Sequence, residues 1–434
     1  MKSLLKLMLN IKKTVIENVE IRDGSDIWDT ALTLQVRPTK GQQLRCPHCH
    51  KKMPYYDEGG GSRSWRAPDL GVMRLYLKAK APRVCCAEHG VVVASVPWAR
   101  HASWFSSAFE EQVAWMVLHT TRAVVAEYFR IEWKTVGSII ARVQADRKTA
   151  APDPYDGLTN IGIDETSYKK GHKYLTVVVN HDTGAVVWAA RNHGKAVLSQ
   201  FFKELSEEQR ASIKVVTGDG ARWITECVEE FCPHATRLLD NFHIVSWATD
   251  ALDALRRRAW NEAKSGKRSA GRPRKDEASS KQRAADIKGL RFALLKNPED
   301  LSETQAAKIE TLAVQNPHTY KGYVLKERLR LLLKMDVESA AVELKDWLSC
   351  ACHSRIPEFV ELSRKIRRHA RRILDTIRLG FSNVRVEAIN NKIKVTIKMG
   401  YGFRNIDNLI ALIMLRCSGL SFALPGRRPQ AATA

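Results

Sequence analysis

Three carboxylates lie far apart in this sequence, at positions where an acid can do chemistry. Ile161 and Ile163 share one face of a predicted strand, so Asp164 lies on the opposite face. Glu165, the next residue, then points away from Asp164. Asp219 follows a β-branched run and lies between two glycines, which let a ligand or another backbone segment approach closely. Each acid alone is explained as well by a surface or turn position.

The third carboxylate, Glu387, opens a predicted helix for which Ser382 or Asn383 is the candidate N-cap. It shares one helix face with amide and basic side chains, which are suited to phosphate contacts: Asn391, Lys394 and Lys398. Phosphodiester cleavage needs charge neutralisation at the attacking and leaving oxygens, which two carboxylate-bound Mg²⁺ ions provide. We expect Asp164 to bridge two ions, with Asp219 and Glu387 each holding one.

The composition favours a polyanionic partner. The chain has 434 residues, with 70 Lys and Arg against 47 Asp and Glu, a formal net charge of +23. No apolar run approaches the ~20 residues of a membrane-spanning helix. The opening Leu-Leu-Lys-Leu-Met-Leu run is too short for the core of a signal peptide. We therefore expect a cytoplasmic protein that works on nucleic acid and has no membrane partner.

A metal site is predicted near the N-terminus. Two predicted strands lead into Cys46-Pro-His-Cys49 and into a second pair, Cys86 and His89, whose spacing suits a tetrahedral zinc ion. Cys85 could replace Cys86. The gap between the pairs, 86 − 49 = 37 positions, is longer than in the commonest zinc ribbons, and unliganded thiols are the alternative.

Helical periodicity follows, interrupted at Arg130-Ile131-Glu132. A short helix, a brief turn and a second helix with exposed polar residues are typical of a major-groove reader, with an ordinary helical hairpin as the alternative. The residues expected to contact DNA are Lys134, Thr135, Ser138 and Arg142. The run Ala151-Pro-Asp-Pro then marks a linker.

Asp164 and Asp219 fall in a predicted β-β-β-α-β-α-β order, which indicates a mixed sheet with helices packed on it. The 387 − 219 = 168 positions between Asp219 and Glu387 predict a large helical insertion. Its basic Ser/Gly-rich run contains Arg272 and Arg274 in a core like that of an AT-hook, although a solvated linker touching only phosphates is favoured. Further basic residues expected to face DNA crowd one helix, among them Arg367 and Arg371.

Several runs together resemble the ISL-three family of bacterial insertion-sequence transposases. They are Gly162-Ile-Asp-Glu-Thr-Ser, Asp219-Gly, Asp240-Asn-Phe-His-Ile-Val, Ser382-Asn-x-Arg-x-Glu-Ala-Ile-Asn-Asn-Lys-Ile-Lys and Tyr401-Gly-Phe-Arg-Asn. The resemblance covers nearly the whole chain and departs from the family at His50 and at the extra thiol of Cys85. It implies a ribonuclease-H-like core with a DDE triad, which by position is Asp164, Asp219 and Glu387.

The resulting expectation is an α/β protein: a ribonuclease-H-like mixed sheet with a large all-helical insertion, preceded by a zinc-binding ribbon and a helix-turn-helix. The expected domains are a zinc-binding domain at 1–100, a helix-turn-helix at 101–150, the first part of the catalytic core at 151–260, a basic and helical insertion at 261–380, the last core helices with Glu387 at 381–417 and a disordered tail at 418–434.

The expected activity is that of a transposase that binds terminal inverted repeats, cleaves DNA and transfers 3′ ends to target DNA. It would use Mg²⁺ or Mn²⁺ in the active site and Zn²⁺ in the N-terminal domain, and act as a nucleoid-associated homo-oligomer on double-stranded DNA. The alternatives are a DNA-binding regulator or inactive derivative, and a structure-specific nuclease on the same fold.

Overall fold

The computed structural model describes residues 2–9, 11–22, 24–26, 30–265, 277–381, 384–420 and 425. The chain forms two compact units, one of Met1–Asp153 with Val395–Ala434 and the other of Pro154–Lys394. Within the described residues, every helix is too short or too polar to span a lipid bilayer.

The first unit begins with small sheets. Its elements are α1 (Lys2–Met8), β1 (Thr14–Arg22), β2 (Ala31–Pro38), β3 (Tyr55–Asp57), β4 (Ser62–Leu70), β5 (Met73–Lys80), β6 (Arg83–Cys86) and β7 (Gly90–Val93). One sheet has the order β1-β2-β5-β4 and another has the order β3-β6-β7. Alternate residues of β2 and β5, including Leu34, Leu75 and Leu77, are fully buried, as their period of two predicts.

A three-helix segment follows, formed by α2 (Ser107–His119), α3 (Arg122–Phe129) and α4 (Trp133–Ala150). Ser106 and Thr121 cap α2 and α3 by accepting hydrogen bonds from backbone N–H groups of the first turn. Arg130 ends α3 in the left-handed conformation, with φ of 52°. The predicted short turn between α3 and α4 is therefore present, and the apolar stripe of α4 is buried at Val136, Ile139 and Ile140.

The second unit is built on a mixed sheet. Its first elements are β8 (Asn160–Lys169), β9 (Lys173–Asn180), β10 (Val186–Arg191), α5 (Lys195–Glu204), α6 (Glu207–Ser212), β11 (Val215–Gly218), α7 (Arg222–Phe231) and β12 (Thr236–Leu239). The strand order is β10-β9-β8-β11-β12, with β11 parallel to both β8 and β12 and the other pairs antiparallel. The predicted mixed sheet is confirmed.

Helices fill the next part of the second unit. They are α8 (Asn241–Ser265), α9 (Glu277–Gly289), α10 (Arg291–Leu295), α11 (Glu303–Gln315), α12 (Pro317–Leu332), α13 (Val337–Cys352) and α14 (Pro357–Leu379). Their shared core includes the fully buried Trp347 and Phe359. This helical region begins at Asn241, and an insertion at 261–380 stays a prediction. Its far end returns to the sheet, because the Thr376 hydroxyl accepts a hydrogen bond from Leu239 N at 3.0 Å.

Two helices complete the described chain, α15 (Val384–Met399) and α16 (Ile406–Cys417). The boundary between the units falls within α15, so residues 395–417 belong to the first unit. Leu412 and Leu415 of α16 share a hydrophobic cluster with α2, α3 and α4. The predicted N-cap, Ser382 or Asn383, lies outside the described residues, as does most of the predicted tail.

The start of α15 packs closely on β8. A Cβ atom placed on Gly162 would lie 2.6 Å from Val386 Cγ2 and 2.8 Å from His181 Nε2. The backbone at Gly162 therefore permits an approach that any larger residue would prevent.

Gly162→Ala is accordingly expected to lower the free energy of unfolding by about 1–3 kcal/mol, because α15 or His181 must shift to admit the methyl group. Urea denaturation measures the difference. The control is Gly289→Ala, which adds the same group where no atom of the described residues lies within 4 Å. Equal midpoints for the two variants would contradict the close packing.

Candidate functional site

The two predicted zinc-ligand pairs come together in the first unit. The four atoms offered by Cys46, Cys49, Cys86 and His89 all lie within 4.8 Å of one another. The sulfurs of Cys49 and Cys86 are 3.8 Å apart, and His89 Nδ1 lies 3.5 Å from Cys86 Sγ. A tetrahedral zinc ion with Zn–S bonds of about 2.3 Å separates two sulfur ligands by roughly 3.8 Å. The spacing of these side chains therefore fits zinc.

The structure distinguishes between the two adjacent thiols. Cys86 ends β6 and is buried with its sulfur in the cluster, whereas Cys85 is exposed and lies outside it. Successive residues of a strand point to opposite faces, so only one of the two can face the ligand pair from the Cys46 loop. Hence Cys86, rather than Cys85, joins the other three side chains.

Asp164 lies in β8, between β9 and β11. Its carboxylate accepts hydrogen bonds from Glu165 N, at 2.7 Å, and from the Asn390 side-chain amide. Burial raises the pKa of the Asp164 carboxyl above its ordinary value, in opposition to these hydrogen bonds. The two hydrogen bonds therefore fix the Asp164 carboxylate in a buried position, where its negative charge is unfavourable unless a cation lies nearby. A cation ligand is expected to have this property. Glu165 is engaged separately, at 3.6 Å from His193.

Asp219 follows β11 at the level of Asp164. The parallel register pairs Thr217 with Gly162, and each acid comes two residues after its paired position. Asp219 Oδ1 accepts a hydrogen bond from Ala221 N at 2.9 Å, which fixes the carboxylate at the turn. The two predicted acids are thus placed on neighbouring parallel strands.

A buried arginine donates hydrogen bonds to the backbone of this turn. Arg237 of β12 donates to the carbonyl oxygens of Val216 and Gly218, each at 3.4 Å, and also to that of Asp219. Burial lowers the pKa of Arg237 to about 10, and the charge of Asp219 acts against this fall. The neighbouring Gly218 suits this packing, because a Cβ atom would lie 3.0 Å from the Ile163 carbonyl oxygen and 3.2 Å from Arg237 Nη2, so that one of these groups would have to shift slightly. Arg237 therefore holds the backbone that presents Asp219.

An acid and a histidine that were not predicted as site residues lie beside the two strand acids. Asp240 and His243 are three residues apart, and Asp240 Oδ2 lies 2.9 Å from His243 Nδ1. This hydrogen bond raises the pKa of the His243 imidazole, and the charges of Asp219 and Asp164 raise it further. The sequence signal was present, because Asp240-Asn-Phe-His directly follows a predicted strand as Asp219 does.

The structure does not gather Glu387 into one cluster with the other two acids. Among the described residues, the Cys46, Cys49, Cys86 and His89 cluster is the only group of three or more His, Cys, Asp or Glu side chains close enough to hold one metal ion. Glu387 is exposed, and its side chain makes no hydrogen bond or ion pair with another described residue. It lies one helical turn before Asn390, which is buried and bonded to Asp164 and to the Thr166 hydroxyl at 2.6 Å. The helix that carries Glu387 is thus fixed to Asp164 through Asn390.

The predicted DNA-contacting residues differ in availability. Lys134 and Ser138 are exposed at the start of α4, and Thr135 is partly exposed. Arg142 is engaged internally, because its Nε donates to Oε1 of the fully buried Glu110 at 2.7 Å. Exposed positions elsewhere are Arg367, Arg371, Asn391, Lys394 and Lys398, whereas Arg272 and Arg274 lie outside the described residues.

Basic helix α14 approaches the Asp219 turn through an aromatic side chain. Lys365 Nζ lies 3.8 Å from the ring centroid of Trp247, and a Cβ atom on Gly220 would lie 2.7 Å from that ring. The negative charge of Asp219 also acts on Lys365. Lys365 of this basic helix therefore lies near Asp219.

Comparisons with known proteins agree over most of the chain. Residues 161–413 match a family model described as transposase, residues 42–89 match the zinc-finger of transposases IS204/IS1001/IS1096/IS1165, and residues 94–144 match the helix-turn-helix domain of transposase family ISL3. The predicted zinc ribbon and helix-turn-helix are confirmed as domains by these matches.

Individual proteins are similar over nearly the full length. The chain is 45% identical over 424 residues to the transposase for insertion sequence element IS1557 in two strains of Mycobacterium tuberculosis, covering 96% of this chain and 95% of the relative. It is 25% identical over 380 residues to the transposase for IS1001 of Bordetella parapertussis, covering 86% of this chain and 88% of the relative.

The metal site predicts a difference between two adjacent thiols. Cys86→Ser is expected to reduce bound zinc from about one ion per chain to near zero, because it removes one of four ligands. Cys85→Ser is the matched control and should retain the metal. Elemental analysis by mass spectrometry measures both. Loss of zinc from Cys85→Ser alone, or its absence from the unaltered chain, would contradict this ligand set.

The contacts of Asn390 predict that substitutions at Asn390 and at its neighbour Asn391 differ in their effect on stability. Asn390→Ala leaves the buried Thr166 hydroxyl and the Asp164 carboxylate without their shared partner, so the free energy of unfolding is expected to fall by about 1–3 kcal/mol. The exposed neighbour gives the control, since Asn391→Ala should have little effect. Urea denaturation compares them, and equal stability of both variants would show that the Asn390 bonds do not fasten α15.

Proposed function

The chain belongs to the ISL3 family of transposases, and we propose that it binds the terminal inverted repeats of its element, cuts the DNA there and joins the released 3′ ends to target DNA. The observation that carries the chemical part is the placement of Asp164 and Asp219 on neighbouring parallel strands, with both charges acting on His243. We take the mixed sheet to be the ribonuclease-H-like core that the family resemblance implies.

Asp164, Asp219 and Glu387 are the proposed ligands of Mg²⁺ or Mn²⁺. Hard carboxylate oxygens are the donors that these ions prefer, and the raised pKa of the buried Asp164 is consistent with a site that a cation would stabilise. When bound, two such ions neutralise charge on the attacking and leaving oxygens of the phosphodiester. Glu387 would reach this site from α15, at the position one turn before Asn390.

The surrounding residues hold and balance these acids. Asn390 and the Glu165 backbone orient the Asp164 carboxylate, while the Ala221 backbone and Arg237 fix Asp219. His243, oriented by Asp240, places a titratable cation next to both carboxylates. In its protonated form His243 offsets part of their repulsion, and it lies where a DNA phosphate would be drawn to positive charge.

Zinc is assigned a structural role in the N-terminal domain. Cys46, Cys49, Cys86 and His89 supply four ligands, which close the coordination sphere and leave no position for a substrate. Such a site stabilises a small domain with a limited hydrophobic core. The ribbon would therefore support DNA binding without taking part in the chemistry.

Recognition of the terminal repeat is assigned to the helix-turn-helix. The exposed start of α4 presents Lys134, Thr135 and Ser138, which suit major-groove and phosphate contacts. Arg142 is a weaker candidate because Glu110 already pairs with it. Exposed basic residues of α14 and α15 would hold DNA nearer the acids through its phosphates.

An insertion sequence has two ends and each chain has one proposed triad, so we propose that the active form is a homo-oligomer on DNA.

Asp219→Asn tests the proposed chemistry. Cleavage of a duplex carrying the terminal repeat is expected to fall by about a thousandfold or more in Mg²⁺ or Mn²⁺, because several kcal/mol of transition-state stabilisation are lost with the carboxylate. Binding of the same duplex should change little. The control is Glu310→Gln, which neutralises an exposed acid of α11.

The outcomes also separate the alternatives. Full cleavage by Asp219→Asn would refute the triad. Cleavage by the unaltered chain without joining of a pre-cut 3′ end to plasmid would favour a nuclease, and binding without cleavage would favour a regulator.

A further inference from the structure

A short loop joins α15 to α16 and carries the most exposed large aromatic side chain of the described residues. This 400–405 loop has the sequence Gly-Tyr-Gly-Phe-Arg-Asn. Tyr401 is 91% exposed and has a φ of 47°, in the region that a residue with a side chain rarely adopts. An aromatic ring held in solvent by a strained backbone calls for an explanation beyond folding, since burying it would stabilise the chain.

The loop is attached to the helix-turn-helix through one buried arginine. Arg122, at the first position of α3, lies between two aromatic rings, with its guanidinium carbon 4.3 Å from the centroid of Trp133 and 4.3 Å from that of Phe403. Its Nη2 also donates to the Gly402 carbonyl oxygen at 3.5 Å. Because Trp133 is the first residue of α4, the loop lies beside the start of the proposed recognition helix.

Among the described residues, no acid neutralises the charge of Arg122. The residue is 4% exposed, and within the same part of the chain its Nε has no hydrogen-bond partner and no carboxylate pairs with it. Burial lowers the pKa of Arg122, although a guanidinium stays protonated near neutral pH. A buried uncompensated cation adds positive potential to the surface above it, where an anionic partner would bind.

A second attachment prevents the loop from moving away from α4. A Cβ atom on Gly137 of α4 would collide with the side-chain amide of Asn408, so the two helices are in close contact. Ala411, Leu412 and Leu415 then pack in the same cluster as Val136 and Ile140. The helix that follows the loop is therefore packed directly on α4.

We propose that the 400–405 loop and the first turn of α4 form one continuous surface for the DNA of the transposon end, on which Arg404 contacts a phosphate and Tyr401 packs against the sugar-phosphate backbone or groove wall. Arg404 and Lys134 are exposed and form no ion pair with another described residue. The flanking acids Glu132 and Asp407 are also exposed, so a small number of phosphate contacts is expected rather than a broad basic patch. The inference rests on the proposed function of α4 as a DNA reader.

The test measures binding by the full-length chain of a duplex covering the terminal inverted repeat of the element that encodes it, over a series of salt concentrations. Arg404→Ala is expected to weaken binding by on the order of tenfold and to reduce the salt slope by about one, as for loss of one phosphate contact. Tyr401→Ala should weaken binding by a few-fold at an unchanged slope, and Tyr401→Phe should restore most of it.

Two comparison variants distinguish the possible failures. Lys134→Ala removes a cation of the proposed reader, and Lys148→Ala removes one from the other end of α4, about 21 Å along the helix. If Lys134→Ala weakens binding while the Arg404 and Tyr401 variants behave like Lys148→Ala, the loop is not part of the surface and the function of α4 stands. If the unaltered chain does not bind the duplex, or if Lys134→Ala also behaves like Lys148→Ala, the proposed reader fails and this inference with it.

Discussion

The contact between the start of α15 and strand β8 connects the distant parts of the proposed active site. Asn390 lies 226 positions after Asp164, yet its amide donates to that carboxylate and its carbonyl oxygen accepts from Thr166. The approach is possible because Gly162 has no side chain where Val386 packs. A buried amide that satisfies two polar groups at once favours one position of the helix along the strand, since shifting it would leave buried groups without partners. The location of Glu387 follows from that position.

A second contact explains how a long helical region can be accommodated between the second and third acids. The region leaves the sheet after Leu239 of β12, and Thr376 near its end is hydrogen-bonded to the Leu239 backbone. The helices from α8 to α14 bury their own core around Trp347 and Phe359. Because the helical region begins and ends beside Leu239 of β12, its length does not disturb the sheet. It brings basic side chains such as Lys365 close to Asp219.

Much of this arrangement was predictable from local patterns. Alternating apolar residues predicted the strands, the Cys and His spacing predicted the zinc-type cluster, and the strand patterns placed Asp164 in one strand and Asp219 after another. Contacts between distant residues were not predictable. Nothing near Arg142 indicates that Glu110 is buried opposite it, and the apolar face of α16 does not specify that α4 is its partner. Asn390 was missed because a single amide on a helix has no periodic pattern to mark it, and Arg122 because a buried arginine without an acid contradicts the usual preference for the surface.

The central claim is that Asp164, Asp219 and Glu387 hold the catalytic metal ions although their side chains do not form one tight cluster in the chain alone. Anomalous X-ray scattering from crystals of the chain grown with Mn²⁺ and a terminal-repeat duplex tests this directly. The expected result is manganese bound by Asp164 and Asp219, with Glu387 completing the coordination. Manganese bound there by Asp240 or Glu165 in place of Glu387, or no manganese at Asp164, would contradict the assignment.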